Sequence, residues 1–410
     1  MSAPLPVANV DRGAPIHIGE FIAITASLMA MAALGIDTML PALPDIGNAL
    51  GVTDVTDRQY VITIFGVGFG VAQLLHGPRT DRFGRRRLLL VVLALYAATN
   101  ILAALAQSFP LLLVARFLGG SCVAGCRVAT VAMVRDCFSG RSMARIMSLA
   151  FMVFMAVPVA APALGAGILL FGDWRTIFWI IAGAALLLAG WIAIRLPETQ
   201  HPEDRRPIEP GPILAGWRIA LTDRLSLGYS LAAAALTGAL YGYLGTIEPI
   251  MAETFGSPQL LIVVFATTAA TMAVANLANS RLVMRLGMRR LGHGAVAALV
   301  VISLAHLALV LTGRETLWTF GIAQALTLAC FALSTSNFSS LAMERMGHIA
   351  GTASSVQGFL AITIGSGLGM VVGQSFDGTT APLTIAFLLA GLAALLAAGL
   401  TERGRLFHPA

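Results

Sequence analysis

Long apolar stretches separated by short polar segments run through the whole chain. A helix needs about 20 mostly apolar residues to cross a bilayer. The pattern predicts twelve spanning helices, at residues 19–42, 59–78, 88–107, 110–134, 143–170, 174–196, 224–247, 258–281, 291–313, 316–340, 348–375 and 379–401. Of all residues, 57% are hydrophobic and 11% are charged, whereas soluble domains have about one quarter charged. We therefore expect an all-α membrane protein.

Arginines are distributed unevenly between the two sides of these helices. If the N-terminus lies in the cytoplasm, most arginines fall in cytoplasmic segments and the opposite side carries only Arg58, Arg175 and Arg314. Cytoplasmic loops are rich in Lys and Arg, so the pattern predicts a multi-pass protein of the bacterial inner membrane with both termini in the cytoplasm. The same asymmetry accounts for the net charge of +6 without nucleic acid as a partner.

A Pro-rich, charged stretch separates the sixth and seventh predicted helices. It predicts an N-terminal six-helix half at 1–196, a cytoplasmic linker at 197–223 and a C-terminal six-helix half at 224–410. A short motif recurs after the second helix of each half, with Arg82, Gly84 and Arg86 matched by Arg285, Gly287 and Arg289. Such parallel repeats are typical of secondary transporters.

Residue types exclude several chemistries. All 26 residues of the Lys and Arg class are arginine, so the chain has neither the Lys of a nucleotide-binding P-loop nor the Lys of a Schiff-base enzyme. The four cysteines match no zinc-site spacing. No nucleophile or metal cluster is evident at membrane depth. We expect no metal, no cofactor and no enzymatic activity.

The segment after the second predicted helix carries the most specific motif, Gly77-Pro78-Arg79-Thr80-Asp81-Arg82-Phe83-Gly84-Arg85-Arg86-Arg87. It resembles the signature Gly-x-x-x-Asp-Arg-x-Gly-Arg-Arg of the major facilitator superfamily. The resemblance implies two six-helix halves around a central cavity. It also implies a gating loop made of Gly77, Asp81, Arg82, Gly84, Arg85 and Arg86, tied to Asp136 and to the start of the eleventh helix. Arg79 departs from the family, which usually has an aliphatic residue there.

Three charged residues lie inside the predicted helices of the first half: Asp37 in the first, and Arg116 and Arg127 in the fourth. Charges at membrane depth nearly always face a cavity or a partner, and the two arginines are about three turns apart on one stripe. The segment from Arg116 to Gly120 resembles a family motif associated with proton coupling. For Arg127, lining the cavity and packing between helices remain equally open.

Asp37 is followed by Pro41 and Pro44. This spacing resembles the Asp-x-x-x-Pro-x-x-Pro of the bicyclomycin and chloramphenicol resistance branch of the drug/proton antiporters, which have twelve spans. We expect Asp37 to carry the transported proton and Arg116 to control its proton affinity.

The fifth predicted helix resembles the antiporter motif of that branch through Pro158, Pro162 and Gly165. Two prolines one turn apart bend a helix. Ala166 stands where the motif usually has a second Gly.

In the second half, we expect Tyr241 and Glu248 to line the substrate cavity. Glu248 precedes Pro249 at a predicted helix end, and we expect it to give the cavity a preference for cationic or hydrogen-bond-donating substrates. Other polar points on these helices are more commonly packing groups: Tyr243, Asn276, His306, Gln324 and Asn337.

Together these features predict a monomeric, proton-coupled antiporter that exports drug-like or metabolite molecules, with a small-molecule substrate, protons and the lipid bilayer as partners. Two alternatives remain open. A proton-linked importer of an organic nutrient is disfavoured by the fifth-helix motif. A non-transporting receptor or scaffold leaves Asp37 and Arg116 unexplained.

Overall fold

The computed structural model describes residues 13–138, 160–205, 209–346 and 349–407, together with Ile146 and Val157. Within these residues the chain forms helices and no strand. Eleven helical segments of the described part are long and apolar enough to cross a membrane. The fifth predicted span, 143–170, falls largely outside the described residues, and its described part is the short apolar helix Ala160–Leu169.

In the first half the helices are α1 (Ile18–Asp37), α2 (Leu43–Leu50), α3 (Tyr60–Phe83), α4 (Arg85–Ala104), α5 (Phe109–Cys137), α6 (Ala160–Leu169) and α7 (Trp174–Arg195). A connecting helix, α8 (Pro210–Thr222), follows. In the second half they are α9 (Arg224–Pro249), α10 (Leu261–Leu286), α11 (Met288–Leu311), α12 (Leu317–Met343), α13 (Ala350–Phe359), α14 (Gly365–Gln374) and α15 (Ala381–Thr401).

The two halves repeat one packing pattern. In the first half, α5 packs against α3 and α4, and α4 also packs against α7. In the second half, α12 packs against α10 and α11, and α11 also packs against α15. The turns at Gly84 and Gly287 lie at the same end of the bundle, which we call the basic end because Arg85–Arg87 and Arg289–Arg290 lie there.

The two halves meet along α3 on one side and α13–α14 on the other. Glycines permit this close approach: a Cβ atom at Gly70 would lie 2.8 Å from the backbone nitrogen of Thr363, and one at Gly66 would lie 2.8 Å from Cε1 of Tyr241. Thr363 belongs to a π-helical turn, Leu360–Ile364, that joins α13 to α14. Such turns are frequent at functional sites.

The first membrane segment differs from the continuous helix predicted at 19–42. Helix α1 ends at Asp37, a 3₁₀ turn covers Leu40–Ala42, and α2 starts at Leu43. The cause is the pair Pro41 and Pro44, which lack backbone N–H groups and disfavour helical geometry in the residue before them. Asp37 therefore lies at a break in the backbone.

The segment between the halves is more structured than the solvated linker that its composition predicts. Helix α8 packs against α13, and a Cβ atom at Gly216 would lie 2.9 Å from Cγ2 of Thr352. Ala220 is 2% exposed. Apolar residues on one face of α8 explain this docking, since they leave water when they pack on the bundle.

Candidate functional site

Asp37 is buried in the first half. Its side chain is 4% exposed, and within the described part of the chain it has no hydrogen bond or ion pair. Tyr241 and Tyr243 of the second half lie within electrostatic reach of this carboxyl. An unpaired buried charge is costly, so this carboxyl is suited to exchange a proton rather than to hold a permanent ion pair.

Arg116 is 2% exposed and bonds to backbone rather than to a carboxylate. Its Nη2 donates to the carbonyl oxygen of Gly35 at 2.8 Å, and its Nε donates to that of Val61 at 3.0 Å. The guanidinium also lies over the ring of Phe65, 4.2 Å from the centroid. Arg116 thus joins α1, α3 and α5. It bonds to the backbone two residues before Asp37, so any control of the proton affinity of Asp37 acts across that short segment.

The backbone around Asp37 is held from several sides. A Cβ atom at Gly35 would lie 3.0 Å from Cζ of Phe65, and one at Gly165 would lie 3.0 Å from the carbonyl carbon of Thr38. Gly165 therefore brings α6 against the break that follows Asp37. Pro162 is buried beside it, whereas Pro158 lies outside the described residues. Gly165, in the described part of the predicted antiporter motif, thus contacts the segment that carries Asp37, the predicted proton carrier.

Arg127 is half-buried on α5 and makes no ion pair with a described residue. It interacts electrostatically with Tyr241 of the second half. Tyr241 in turn packs close to Gly66 of α3. Arg127 and Asp37 thus both lie within electrostatic reach of Tyr241 of the second half.

Glu248 is half-buried at the end of α9 that lies away from the basic end. The charges that act on it are those of Arg58, at the start of the second span, and Glu253. Glu248 and Arg58 form no ion pair within the described part of the chain. Glu248 is separated from Tyr241 by about two helical turns on one face of α9, so both face the first half.

Sequence reasoning missed several buried polar groups between the halves. The Nε2 atoms of Gln59 and Gln73 and the hydroxyl of Thr363 are buried and have no hydrogen-bond partner among the described residues. A Cβ atom at Gly358 would lie 3.1 Å from Cδ of Gln73. The small-residue spacing Gly66–Gly70 on α3 was the available signal for this interface, since such spacings let helices approach closely.

At the basic end, Arg85 is the centre of the predicted gating loop. Its side chain is 4% exposed, and it forms two bonds with Asp136, from Nε at 2.8 Å and from Nη2 at 3.3 Å. Its Nη1 forms an ion pair with Asp81 at 3.0 Å and donates to the carbonyl oxygen of Thr80 at 2.7 Å. The expected pairing of Arg85 with Asp136 is present.

Glu198 completes this cluster and was missed by sequence reasoning, which placed it only in the linker. Its Oε1 accepts a bond from the backbone N–H of Arg85 at 2.8 Å. A side chain at Gly84, where φ is +90°, would contact this carboxylate, so the turn requires glycine. The position of Glu198 after the sixth predicted helix did not predict this contact.

The other predicted loop residues play smaller parts. Arg86 donates from Nη2 to the carbonyl oxygen of Ala193 at 2.6 Å, and Arg82 stacks on the neighbouring Phe83 at 5.8 Å. A Cβ atom at Gly77 would lie 3.3 Å from Oγ of Ser355 in α13. Arg135 also contacts the start of the eleventh predicted helix, because its Nη1 lies 3.2 Å from the position that a Cβ atom at Gly351 would take.

The second half has its own cluster at the basic end. Arg289 forms ion pairs with Glu344 at 2.9 Å and Glu402 at 2.7 Å. Glu402 also accepts a bond from the hydroxyl of Tyr229 at 2.7 Å. Partial burial raises the pKa of Glu402, but the bonds from Tyr229 and Arg289 outweigh it and hold that pKa below the ordinary glutamate value. Glu402 therefore carries a charge that Arg289 can pair with.

No group of three or more His, Cys, Asp or Glu side chains in the described part of the chain is arranged to hold a metal ion. The cluster residues thus pair with each other and with backbone.

Comparison with known sequences gives a consistent family. The family model described as Major Facilitator Superfamily matches residues 25–370. The chain is 30% identical to the uncharacterized MFS-type transporter YdgK of Bacillus subtilis, a match that covers 93% of this chain and 96% of that one. It is 29% identical to the bicyclomycin resistance protein homolog of Haemophilus influenzae, covering 88% and 91%. It is 31% identical to the chloramphenicol resistance protein of Pseudomonas aeruginosa, covering 80% and 77%.

Solved structures show the same fold at low sequence identity. The human organic anion transporter MFSD10 (TETRAN) matches with a TM-score of 0.69 and 20% identity, covering 94% of this chain and 99% of that one. A bacterial homolog of the human lysosomal transporter Spinster matches with a TM-score of 0.70 and 16% identity, covering 95% and 98%. The predicted fold class is confirmed.

Proposed function

Because the chain belongs to the major facilitator superfamily, we propose that it is a proton-coupled antiporter that exports drug-like or metabolite molecules across the bacterial inner membrane. It is a multi-pass membrane protein, and its relatives are transporters rather than enzymes. The proposed orientation places the basic end and both termini in the cytoplasm, as the arginine distribution favours.

The observation that carries this proposal is the burial of Asp37 without an ion pair in the described part of the chain. Arg116 holds the adjacent backbone through Gly35, and Gly165 brings the described part of the antiporter motif against Thr38. In this proposal Asp37 takes up a proton from the outside and releases it to the cytoplasm. Proton entry draws on the membrane potential, about 2.3 kcal/mol per charge at 100 mV.

Exchange of substrate for proton follows when the site holds one or the other but not both at once. Substrate enters between the halves beside Tyr241, Arg127 and Glu248, and it favours release of the proton from Asp37. The two cytoplasmic clusters, around Arg85 and Arg289, hold the ends of each half as rigid units. The halves then rock against each other along α3 and α13–α14, where glycines allow close contact.

The names of two relatives provide the first substrates to test, bicyclomycin and chloramphenicol. Everted membrane vesicles that contain the protein are energised until a pH-sensitive dye reports an acidic interior. Addition of either compound is expected to release part of the pH gradient and to drive the compound into the vesicles.

Vesicles without the protein serve as the control. A nutrient importer moves substrate out of everted vesicles together with protons, and a receptor or scaffold moves neither. Accumulation of substrate without any proton movement contradicts the proposed coupling.

A further inference from the structure

A groove of about 270 Å³ opens at the basic end of the first half. It lies between the start of α4 and the chain that follows α7, and its lining residues are Phe83, Arg86, Arg87, Leu90, Glu198 and Arg205. Its volume is below the range of about 300–1,000 Å³ typical of drug-sized ligand pockets. A compact polar headgroup suits it better than a drug.

The groove is positively charged. Glu198, its one carboxylate, already accepts bonds from the backbone N–H groups of Arg85 at 2.8 Å, Thr199 at 3.1 Å and Gln200 at 3.2 Å. Against it stand three guanidinium groups. Arg87 and Arg205 make no ion pair with any residue that the structure describes, and the buried Nε of Arg86 has no hydrogen-bond partner there. An anion in the groove would meet unused donors.

The walls of the groove continue into the lipid-facing surface of the bundle. Phe83 is 44% exposed at the rim, and Leu95 further along α4 is 51% exposed. On α7, which packs against α4, Leu187 and Ile194 are 78% and 84% exposed. A ligand with an anionic head and long apolar chains therefore matches both parts of this surface. Basic pockets beside cytoplasmic helix ends are known to bind anionic lipid headgroups.

The equivalent turn of the second half is covered by the chain itself. Arg290, which corresponds to Arg87 in the repeat, donates from Nε to the carbonyl oxygen of Phe407 at 3.2 Å. The N–H of Phe407 donates to Nδ1 of His293 at 3.2 Å, and its ring packs on His293. The arginine one position earlier, Arg289, is paired with two carboxylates. At the second-half turn, Arg289 and Arg290 therefore both have partners within the chain, whereas Arg87, the equivalent of Arg290, makes no ion pair with a described residue.

We propose that this groove binds the headgroup of an anionic phospholipid from the cytoplasmic leaflet, with its acyl chains along the exposed faces of α4 and α7. The phosphate lies between Arg87 and Arg205. Such a lipid joins the gating turn to the chain after α7, next to the Arg85 cluster. The site is separate from the proposed transport cavity.

The test is lipid binding to the purified full chain, measured by native mass spectrometry during titration with phosphatidylglycerol or phosphatidylcholine. Arg87→Gln combined with Arg205→Gln is expected to lower the affinity for phosphatidylglycerol at least about tenfold and to leave phosphatidylcholine binding unchanged. Arg290→Gln is the matched control from the second half and is expected to bind as the wild type does. Because Arg87 and Arg205 are exposed, the double variant is expected to fold, and Arg205→Gln alone is a second, milder variant.

Three outcomes overturn the proposal. The first is that the wild type and the double variant bind phosphatidylglycerol equally well. The second is that Arg290→Gln loses as much affinity as the double variant does. The third is that glycerol phosphate binds as tightly as the lipid, which marks a site for a free phosphate. The measurement needs no transport, so its failure leaves the proposed antiport untouched, and failure of antiport leaves this result standing.

Discussion

The turns at Gly84 and Gly287 have the same backbone conformation but different partners. Gly84 has φ and ψ of 90° and 158°, and Gly287 has 80° and 157°. Two acids surround each turn. One lies at the end of a neighbouring helix, Asp136 in the first half and Glu344 in the second. The other follows the last helix of the half, Glu198 in the first half and Glu402 in the second. The arginine that meets these acids is Arg85 in the first half and Arg289 in the second, where Met288 takes the place of Arg85.

Both halves thus keep the backbone turn and the two surrounding acids, but the arginine that pairs with the acids stands one position later in the second half. Arg85 bonds Asp136 through its side chain and Glu198 through its backbone. Arg289 bonds both of its acids through its side chain. Arg86 and Arg289 therefore occupy equivalent positions in the repeated motif but make different contacts.

A second contrast lies at membrane depth. Counting back twenty positions from Asp136 leads to Arg116, and the same count from Glu344 leads to Gln324. Arg116 is 2% exposed and charged, and Gln324 is equally buried but neutral. The clusters at the basic end are duplicated, whereas the charge of Arg116 is not. This favours a division in which the first half couples protons and the second half contributes to substrate selection.

The largest expected effect comes from replacing Arg85 and Arg289, one at a time. Arg85→Gln leaves Asp136 without its buried partner, and breaking a buried ion pair costs about 3–5 kcal/mol. Arg289→Gln is expected to cost less, because its side chain is 12% exposed against 4% for Arg85 and water can replace part of the lost bonding. Thermal unfolding in detergent measures both. Equal losses would show that the two clusters are energetically equivalent, and Arg85→Lys is expected to restore only part of the stability.

An intermediate effect is expected where the halves meet. A Cβ atom at Gly70 would lie 2.8 Å from the backbone nitrogen of Thr363, and overpacking of this kind costs about 1–3 kcal/mol. Gly70→Ala is therefore expected to separate α3 from the π-helical turn and to slow transport in the vesicle assay. Gly183→Ala is the control, since a Cβ there meets no atom within 4 Å. Equal transport by both variants contradicts the proposed movement along this interface.

The smallest effect is expected for Glu248→Gln, which removes a charge but keeps the shape. We expect cationic substrates to lose affinity relative to neutral ones, by about tenfold or less. Competition by a series of matched cationic and neutral compounds measures this ranking. An unchanged ranking assigns Glu248 to a solvated helix end, and substrate selection by the second half then depends on other residues.

Much of the fold could be predicted because it depends on local pattern. The apolar runs located the eleven spanning helices of the described part of the chain, and the motif from Gly77 to Arg86 identified the family, which is confirmed. The pairing of Arg85 with Asp136 followed from that motif.

Contacts between distant segments could not be predicted in the same way. The bond from the backbone N–H of Arg85 to the carboxylate of Glu198 joins segments 113 positions apart in the chain, and no residue pattern marks it. Arg116 was predicted to act near Asp37, but its donors go to the carbonyl oxygens of Gly35 and Val61, and any residue has such a carbonyl. The break after Asp37 was readable in Pro41 and Pro44, yet apolarity alone extended the predicted helix through it.

The proposed transport cycle depends on Asp37 as the carrier of the transported proton. The most direct measurement compares Asp37→Asn with Asp45→Asn, an exposed acid on α2, in vesicles loaded with a compound that the wild type exports. Asp37→Asn is expected to bind the compound and exchange it across the membrane, but to lose concentrative export, because an amide cannot release a proton. Asp45→Asn is expected to pump as the wild type does. An Asp37→Asn protein that still exports against a gradient at the wild-type rate contradicts the account.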